Sequence, residues 1–563
     1  MIKKLEKLTN NNLFWLVLVI FISVPASIPL FRPLFYHFSD ESHLANLYEM
    51  VRAFSSGQIP PRMAPDISFG FGYPLFNFYY PLPYYFGSLF YFLTKSLVLS
   101  IKLLFLFSIF LSGLFMFIWL KNHTTKLGAL VGTIIYIYTP YRAVDLYVRG
   151  ALGEAISFVF FPLIFFTLDG AIKKTGSKNI GLLAVFIGLF ILSHNLSPLF
   201  AIPFFILYVV ISLGLKSQIK SLAKILLGFV LGFLISSFWS VPAFLEKSYL
   251  QNNTPFNYVD HFPFVRQLIY SKWGYGSSVW GPGDELSFQI GVVNILLVFL
   301  VILSFWLKKV EKKQNHLLFL FLGTFFFTTF LMNIRSKFLW ELFPLANYIQ
   351  FPWRLLMFTT LLTAFMVVFI KNAKLLIFLG ILAFFLNFHY FKPSEYFKPN
   401  DNYYLKRFFA DRLVDEKTKE VSKDYLNYSE DYILLPKWIK EKPQFLPESR
   451  IESKNVSINN LEEINPVYYS ADLDSYSNGE VIINFFYFPG WSVFLNDKEL
   501  RTEILSPYGN FKVEVPEGKF KLKVIWRETT FRKIFDIISL ISLLMAGFLI
   551  KSGERSHEKY KIA

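Results

Sequence analysis

Apolar runs near the ~20 residues that cross a bilayer recur at about 12–31, 99–120, 128–141, 154–171, 180–194, 199–215, 225–243, 287–307, 317–332, 355–370, 374–391 and 531–550. They predict about twelve membrane-spanning helices. After Phe391 hydropathy falls and the period shortens. Glu480–Phe488, Trp491–Leu495, Asn510–Val515 and Lys519–Trp526 read as strands, separated by turns at Pro489-Gly490, Asn496-Asp497 and Pro516-Glu517-Gly518. The expected fold class is an all-α polytopic membrane protein with a small C-terminal β-sandwich.

The polar positions between the runs set the orientation. Seven basic clusters punctuate the chain: Lys3/Lys4/Lys7, Lys121/Lys126, Lys173/Lys174/Lys178, Lys216/Lys220/Lys224, Lys308/Lys309/Lys312/Lys313, Lys371/Lys374 and Lys551/Arg555/Lys559. Cytoplasmic loops carry an excess of Lys and Arg, so all seven belong inside, with both termini. The stretch Phe76–Leu93 is long enough to span but holds Pro81, Pro83 and several tyrosines. Counting it as a span would turn the next five clusters outward, so it is expected in the interface, inside a first external loop. The expected division is residues 1–390 as a transmembrane domain with external loop 32–98, 391–530 as an extracytoplasmic α/β region ending in the sandwich, and 531–563 as a last span and basic tail. The basic and apolar N-terminus lacks a small-x-small cleavage site, which makes it an uncleaved first span of a plasma-membrane protein.

Composition agrees: 54% of the 563 residues are hydrophobic and 20% aromatic, so one soluble core is excluded. The formal charge of +16 is concentrated in short loops facing anionic headgroups, and no soluble stretch has a nucleic-acid-binding stripe, so no nucleic-acid partner is expected. With no cysteine, disulfides, thiolate metal sites and a cysteine nucleophile are ruled out.

Candidate chemistry falls in the external segments. Phe38–Met50 carries Asp40, Glu41, His43 and Glu49 on an expected surface helix. A partly desolvated carboxylate there suits a general base, while the plainer reading makes Ser39 or Asp40 the N-cap of a helix through Phe54. The aromatic run containing Tyr79 and Tyr80 suits sugar stacking or grip on a lipid, or forms an interfacial belt. Asp145, Arg149 and Glu154 offer either a phosphate-binding arginine or a mutual ion pair. His194 and Asn195 stand at membrane depth, as substrate contacts or as helix-to-helix hydrogen bonds. Gln350 and Arg354 flank Pro352-Trp353, with Arg354 either on phosphate or snorkelling to headgroups. Asp284-Glu285 after Gly281-Pro282-Gly283 reads as a turn and helix start.

The acidic pair after the first span, a helix running to Met50, and Pro81-Leu-Pro-Tyr-Tyr-Phe-Gly87 resemble the first external loop of GT-C glycosyltransferases such as aminoarabinose and mannosyl transferases. Gly72-Tyr-Pro-Leu-Phe-Asn-Phe-Tyr-Tyr-Pro-Leu82, Leu146-Tyr-Val-Arg-Gly-Ala-Leu-Gly-Glu154, Ser193-His-Asn195, Gln350-Phe-Pro-Trp-Arg354 and Phe488-Pro-Gly-Trp491 are similar to the membrane family named for a 6-pyruvoyl-tetrahydropterin synthase-related domain and to YfhO-type proteins, regarded as GT-C-like. This resemblance covers nearly the whole chain. It implies transfer of a sugar from a polyprenyl-phosphate donor to a glycan, lipid or protein acceptor on the outer face, amid membrane lipids, in polysaccharide or cell-envelope biosynthesis. Asp40 matches the catalytic acid position, with Glu41 as second candidate. His43, Tyr79, Tyr80, Asp145, Arg149, Glu154, His194, Asn195, Gln350 and Arg354 would contact substrate. No Asp-x-Asp motif occurs in the external loops, so a divalent metal, Mg or Mn, stays open, and no zinc triad or pterin chemistry is expected. The rival functions are a transporter or flippase of lipid-linked glycans, which calls for polar groups along both access paths, and a silent envelope scaffold. The polar groups read chiefly at the outer span ends, which favours one-sided chemistry.

Overall fold

The computed structural model describes residues 11–214, 219–251, 257–343, 349–409, 435–441, 443 and 446–562. The Lys3/Lys4/Lys7 cluster and Lys216 lie outside the described residues. Helix α1 (Asn12–Phe31) leads into a long loop carrying α2 (Ser42–Ser55) and α3 (Leu82–Thr94). There follow α4 (Leu97–Leu120), α5 (Lys126–Ile137), α6 (Leu152–Lys173), α7 (Ser177–Ser193), α8 (Ser197–Leu213) and α9 (Ile219–Leu245). A second long loop precedes α10 (Val292–Trp306), α11 (Asn315–Leu331), α12 (Leu356–Met366) and α13 (Ala373–Asn387). Then come α14 (Asp401–Phe408), the β region, and the last helix α15 (Thr530–Ile562). Among the described residues eight helical segments are long and apolar enough to cross a membrane, and α5, α7, α8 and α10 are shorter apolar helices. Each apolar run noted in the sequence coincides with one of these twelve segments.

Between them Phe76–Leu93 breaks at Pro81, and the helix that follows has only 13 residues. At 1.5 Å per residue it is about 20 Å long, well short of a ~30 Å hydrocarbon core. It packs on α2 and α4. The sequence around Asp284-Glu285 starts no helix: Asp284 instead accepts from Gln267 Nε2 at 2.7 Å and from the Val279 amide at 3.0 Å, and α10 begins at Val292.

Polar residues set the helix ends. Ser96, Thr125 and Asn372 side chains accept from the amides of Leu99, Gly128 and Leu375. Asp401 of α14 reaches the start of α4 and accepts from the amides of Leu97 (2.8 Å) and Val98 (3.1 Å). A carboxylate there complements the helix dipole and docks α14 on the bundle. Small residues let α7, α9 and α15 pack closely: a Cβ on Gly181 would fall 2.7 Å from the Ala546 carbonyl, and one on Gly232 would fall 2.7 Å from Ile187 Cβ.

The β region is one antiparallel sheet folded over itself. Its strands are β1 (Ile451–Asn465), β2 (Tyr468–Ile483), β3 (Trp491–Leu495), β4 (Lys498–Glu499), β5 (Glu503–Ile504), β6 (Phe511–Val515) and β7 (Gly518–Trp526), in the order β4-β3-β7-β2-β6-β5 with β1 also on β2. Strand β2 changes partner midway, pairing β7 through Tyr468–Ser475 and β6 through Gly479–Ile483. That change closes the sheet over Val481, Ile483, Phe485, Trp491, Val493, Phe511, Val513, Leu522 and Val524, all buried. Three of the four predicted strands are present as β3, β6 and β7, and the fourth only in part, since β2 ends at Ile483 and Asn484–Phe488 is not strand; β1, β4, β5 and Tyr468–Gly479 of β2 were not predicted.

A buried charge network joins this region to the bundle. Arg62, fully buried in the first loop, donates from Nε to Glu528 (2.8 Å), from Nη2 to Asp536 (3.0 Å), and from Nη1 to Asn77 Oδ1 (3.3 Å) and the Phe238 carbonyl (2.8 Å). Beside it Arg532 Nε lies 3.0 Å from both oxygens of Glu246, which also accepts from Asn77 Nδ2 at 2.6 Å. Removing one partner of such a buried pair leaves the other uncompensated, a loss of about 3–5 kcal/mol. Arg62→Ala is therefore expected to lower the thermal midpoint of the purified protein sharply, and Arg62→Ala with Glu528→Gln and Asp536→Asn to recover part of it. A midpoint equal to wild type in the single variant would count against the network as the anchor.

Candidate functional site

At the loop-bearing end of the bundle, the chain between α5 and α6 forms a short helix over Pro140–Val144 and a π-turn over Asp145–Arg149, ending at Gly150 with φ +67°. Only glycine serves here: the backbone is left-handed, and a Cβ would fall 2.0 Å from the Phe38 ring. The turn points Asp145 and Arg149 at Glu154 in the first turn of α6. Arg149 Nη1 donates to Asp145 Oδ1 at 2.8 Å, and its Nη2 lies 2.9 Å from Glu154 Oε1. Tyr141 OH donates to Glu154 Oε2 at 2.6 Å, and Arg354 Nε stands 3.3 Å from Glu154 Oε1. The Arg149 guanidinium also lies over the Trp353 ring, 4.8 Å from its centroid. Of the two readings of Arg149, the mutual ion pair is the one formed, with both carboxylates. Arg354 is less committed: its Nη1 donates to the Ile349 carbonyl at 3.2 Å, and its side chain is 18% exposed.

The segment after α1 lies across this cluster. The amides of Ser39 and Asp40 donate to the carbonyls of Val148 (3.1 Å) and Arg149 (2.9 Å). Helix α2 starts at Ser42 with Glu41 as N-cap and no side-chain capping bond, so neither Ser39 nor Asp40 caps it. The Asp40 carboxylate is half-buried and has no hydrogen-bond donor among the described residues. Glu41 differs completely: it is buried, lies 2.7 Å from His37 Nδ1, and is paired with Arg407 of α14. Two adjacent carboxylates thus have different roles, one free and one committed to structure.

The aromatic wall closes the other side. His43 is buried and shares a 2.6 Å hydrogen bond from Nδ1 to Tyr84 OH, while its Nε2 has no partner. Burial pushes His43 down to about 4, with Arg149 adding to the effect and Asp40 opposing it, so the ring is neutral at physiological pH. Tyr79 and Tyr80 stack 4.4 Å apart, and the Tyr80 ring meets His194 edge-on at 5.4 Å. His194 is held by a 2.7 Å hydrogen bond between Nδ1 and Ser197 Oγ. Asn195 is exposed and donates to the Phe78 carbonyl at 3.3 Å. Gln350 adopts φ +65° just before Phe351, whose ring stacks on Trp353 at 5.1 Å. The sequence-nominated residues therefore gather around one end of the bundle. Sequence reasoning missed Tyr141 and Arg407 and gave no separate role to Tyr84, which lies inside the Pro81–Gly87 motif.

Glu41 and Glu154 are each turned to arginines, and among the described residues no group of three His, Cys, Asp or Glu could hold a metal ion. At the opposite end of the bundle stands a polar cluster that the sequence did not announce. Asp169 accepts from Trp119 Nε1 at 3.1 Å and from Tyr208 OH, and lies 2.5 Å from His123 Nε2. Polar groups are thus not confined to one end of the spans.

Gly153 is the contact point of wall and cluster: a Cβ there would lie 2.6 Å from Tyr80 Cζ and 2.8 Å from His194 Cδ2. Gly153→Ala should lower the thermal midpoint, because overpacking costs about 1–3 kcal/mol and outweighs the ~1 kcal/mol helix-propensity gain of alanine. Gly323→Ala in α11, whose Cβ meets nothing within 4 Å, should hold or raise it. Equal midpoints for the two variants would contradict the close contact.

Comparison with known proteins follows this geometry. The model of the 6-pyruvoyl-tetrahydropterin synthase related domain, described as a membrane protein, matches residues 76–399, from the aromatic wall through the last span before α14. An uncharacterized protein of Lactococcus lactis subsp. cremoris (strain MG1363) is 27% identical over 324 residues, 55% of this chain and 52% of that protein, so the chain spans about half the length of the relative it matches. The chain, a multi-pass membrane protein with a C-terminal β-sandwich, belongs to the 6-pyruvoyl-tetrahydropterin synthase-related family of membrane proteins.

Proposed function

We propose that this protein is a GT-C-type glycosyltransferase that moves a sugar from a polyprenyl-phosphate donor to an acceptor hydroxyl on the extracytoplasmic face. The observation that carries the reading is Asp40: a carboxylate with no hydrogen-bond donor, held by two backbone bonds beside the buried Arg149–Glu154–Arg354 cluster. Asp40 takes the proton of the acceptor hydroxyl as that oxygen forms a bond to the anomeric carbon. The bond from the anomeric carbon to the phosphate oxygen breaks on the opposite face, inverting the centre. The departing polyprenyl phosphate carries the new negative charge toward Arg354, whose partly exposed guanidinium can donate a charge-assisted hydrogen bond. Arg149 positions Glu154 and Asp145. Neutral His43, through its unpartnered Nε2, and the Tyr79–Tyr80 pair bind and orient the sugar. No step is routed through a metal.

Sugar transfer in nanodiscs tests this. Asp40→Asn should fall by about 100- to 10,000-fold, the usual contribution of a positioned base, with folding intact because Asp40 caps nothing. Glu41→Gln should act mainly through stability, since it breaks the pair with Arg407. Near-wild-type turnover in Asp40→Asn would refute the assignment. Arg354→Lys should weaken donor use at unchanged protein abundance, because a point charge replaces a planar fork. Parallel loss of folded protein and activity would return Arg354 to a structural role.

A carrier of lipid-linked glycans is the second reading, favoured by the Asp169 cluster at the opposite end of the spans. It calls for donor movement across the bilayer without bond cleavage, impaired by Asp169→Asn and indifferent to Asp40→Asn.

A further inference from the structure

An open cavity of about 350 Å³ is lined by the residues on either side of Asp40, Ser39 and Glu41. Its walls come from four separate stretches: Ser39, Glu41 and Ser42 after α1, Ser277 in the second long loop, Ser394, and Arg407 of α14. Asp40 stands in the chain between two of these lining residues, and its charge acts on His43, Tyr80, Tyr84 and Arg149, none of which lines the cavity. The walls are braced. Phe35 and Phe397 exchange backbone hydrogen bonds of 2.9 and 3.0 Å, the His37 ring stacks on Phe397 at 4.1 Å, and Tyr275 OH donates to the Lys392 carbonyl at 3.1 Å. Within this frame the hydroxyls of Ser42, Ser277 and Ser394 make no hydrogen bond among the described residues. The charges in the cavity cancel locally, because Glu41 and Arg407 are paired.

We propose that this cavity is the acceptor subsite and takes a neutral, polyhydroxylated ligand: the terminal one or two sugars of a glycan. The proposal rests on the transferase reading above and adds the acceptor class to it. The volume falls in the range of small-ligand clefts. Free hydroxyls beside an already neutralised ion pair exchange hydrogen bonds with sugar hydroxyls without adding net charge, whereas a phosphate or carboxylate would bring an unpaired charge against Glu41. A glycan seated there lies against Ser39 and Glu41, the chain neighbours of Asp40, within reach of the proposed base.

Saturation-transfer NMR of the full chain in nanodiscs, without donor, tests the subsite with methyl β-glucoside, cellobiose and glycerol 3-phosphate as probes. Wild type should transfer saturation to both sugars and little to glycerol 3-phosphate. Ser277→Trp and, independently, Ser394→Trp fill the cavity and should each reduce transfer to cellobiose at least tenfold; if one variant does not fold, the other decides. No transfer to either sugar in wild type, undiminished transfer in the folded Trp variants, or preference for glycerol 3-phosphate would overturn the proposal. The two readings fail separately. Cavity-dependent sugar binding with no sugar transfer by wild type removes the transferase and leaves the subsite, while Asp40-dependent turnover without cavity-dependent sugar binding does the reverse.

Discussion

Glu154 is the interaction on which the loop-bearing end of the bundle depends. A carboxylate 1% exposed at the start of a membrane helix is costly unless its charge is matched, and here Arg149 approaches at 2.9 Å, Tyr141 OH at 2.6 Å and Arg354 at 3.3 Å. Those three partners come from the π-turn, the short helix before it and the entry of α12, so satisfying one carboxylate fixes three pieces of chain. The π-turn then ends at Gly150, and its carbonyls at Val148 and Arg149 receive the Ser39 and Asp40 amides. The position of Asp40 follows from the electrostatics of Glu154 rather than from its own side chain, which is why that side chain is left unpartnered.

The same logic separates Asp40 from Glu41. One residue along the chain turns the side chain toward α14, where Arg407 and His37 take it up. Neighbouring acids of similar chemistry are told apart only by what the rest of the fold brings to each.

That distinction marks the limit of what the sequence discloses. The spans were legible because lipid demands long apolar runs, and the break in Phe76–Leu93 because Pro81 and Pro83 interrupt it, leaving a helix of 13 residues. The strands β6 and β7 alternate between covered and exposed positions and announce themselves, while β3 is a short apolar run bounded by turns, buried at four of its five positions. Strand β1 does not: Ile451 and Val456 are its buried positions, and the rest of its length faces solvent or is half-covered, so no period of two appears in its hydropathy. The site residues at Leu146–Glu154 and Gln350–Arg354 were legible as motifs, whereas Arg407 and Tyr141 were not, since each matters only through a partner distant in sequence or on another turn. The Asp169 cluster escaped for the same reason, with Trp119, His123 and Tyr208 scattered over three segments.

Arg62 carries this separation furthest, because its partners Glu528 and Asp536 follow it by 466 and 474 residues. At ribosomal rates of about 5–20 residues per second, Arg62 waits on the order of 25 to 90 s after its own synthesis before the acids that neutralise it exist. Until then the Arg62 guanidinium has Asn77 and the Phe238 carbonyl as hydrogen-bond partners but neither of the carboxylates that neutralise it. Assembly of the loop-bearing end is therefore timed by the arrival of the last helix. The charge balance of the first loop is complete only when the last helix has been made.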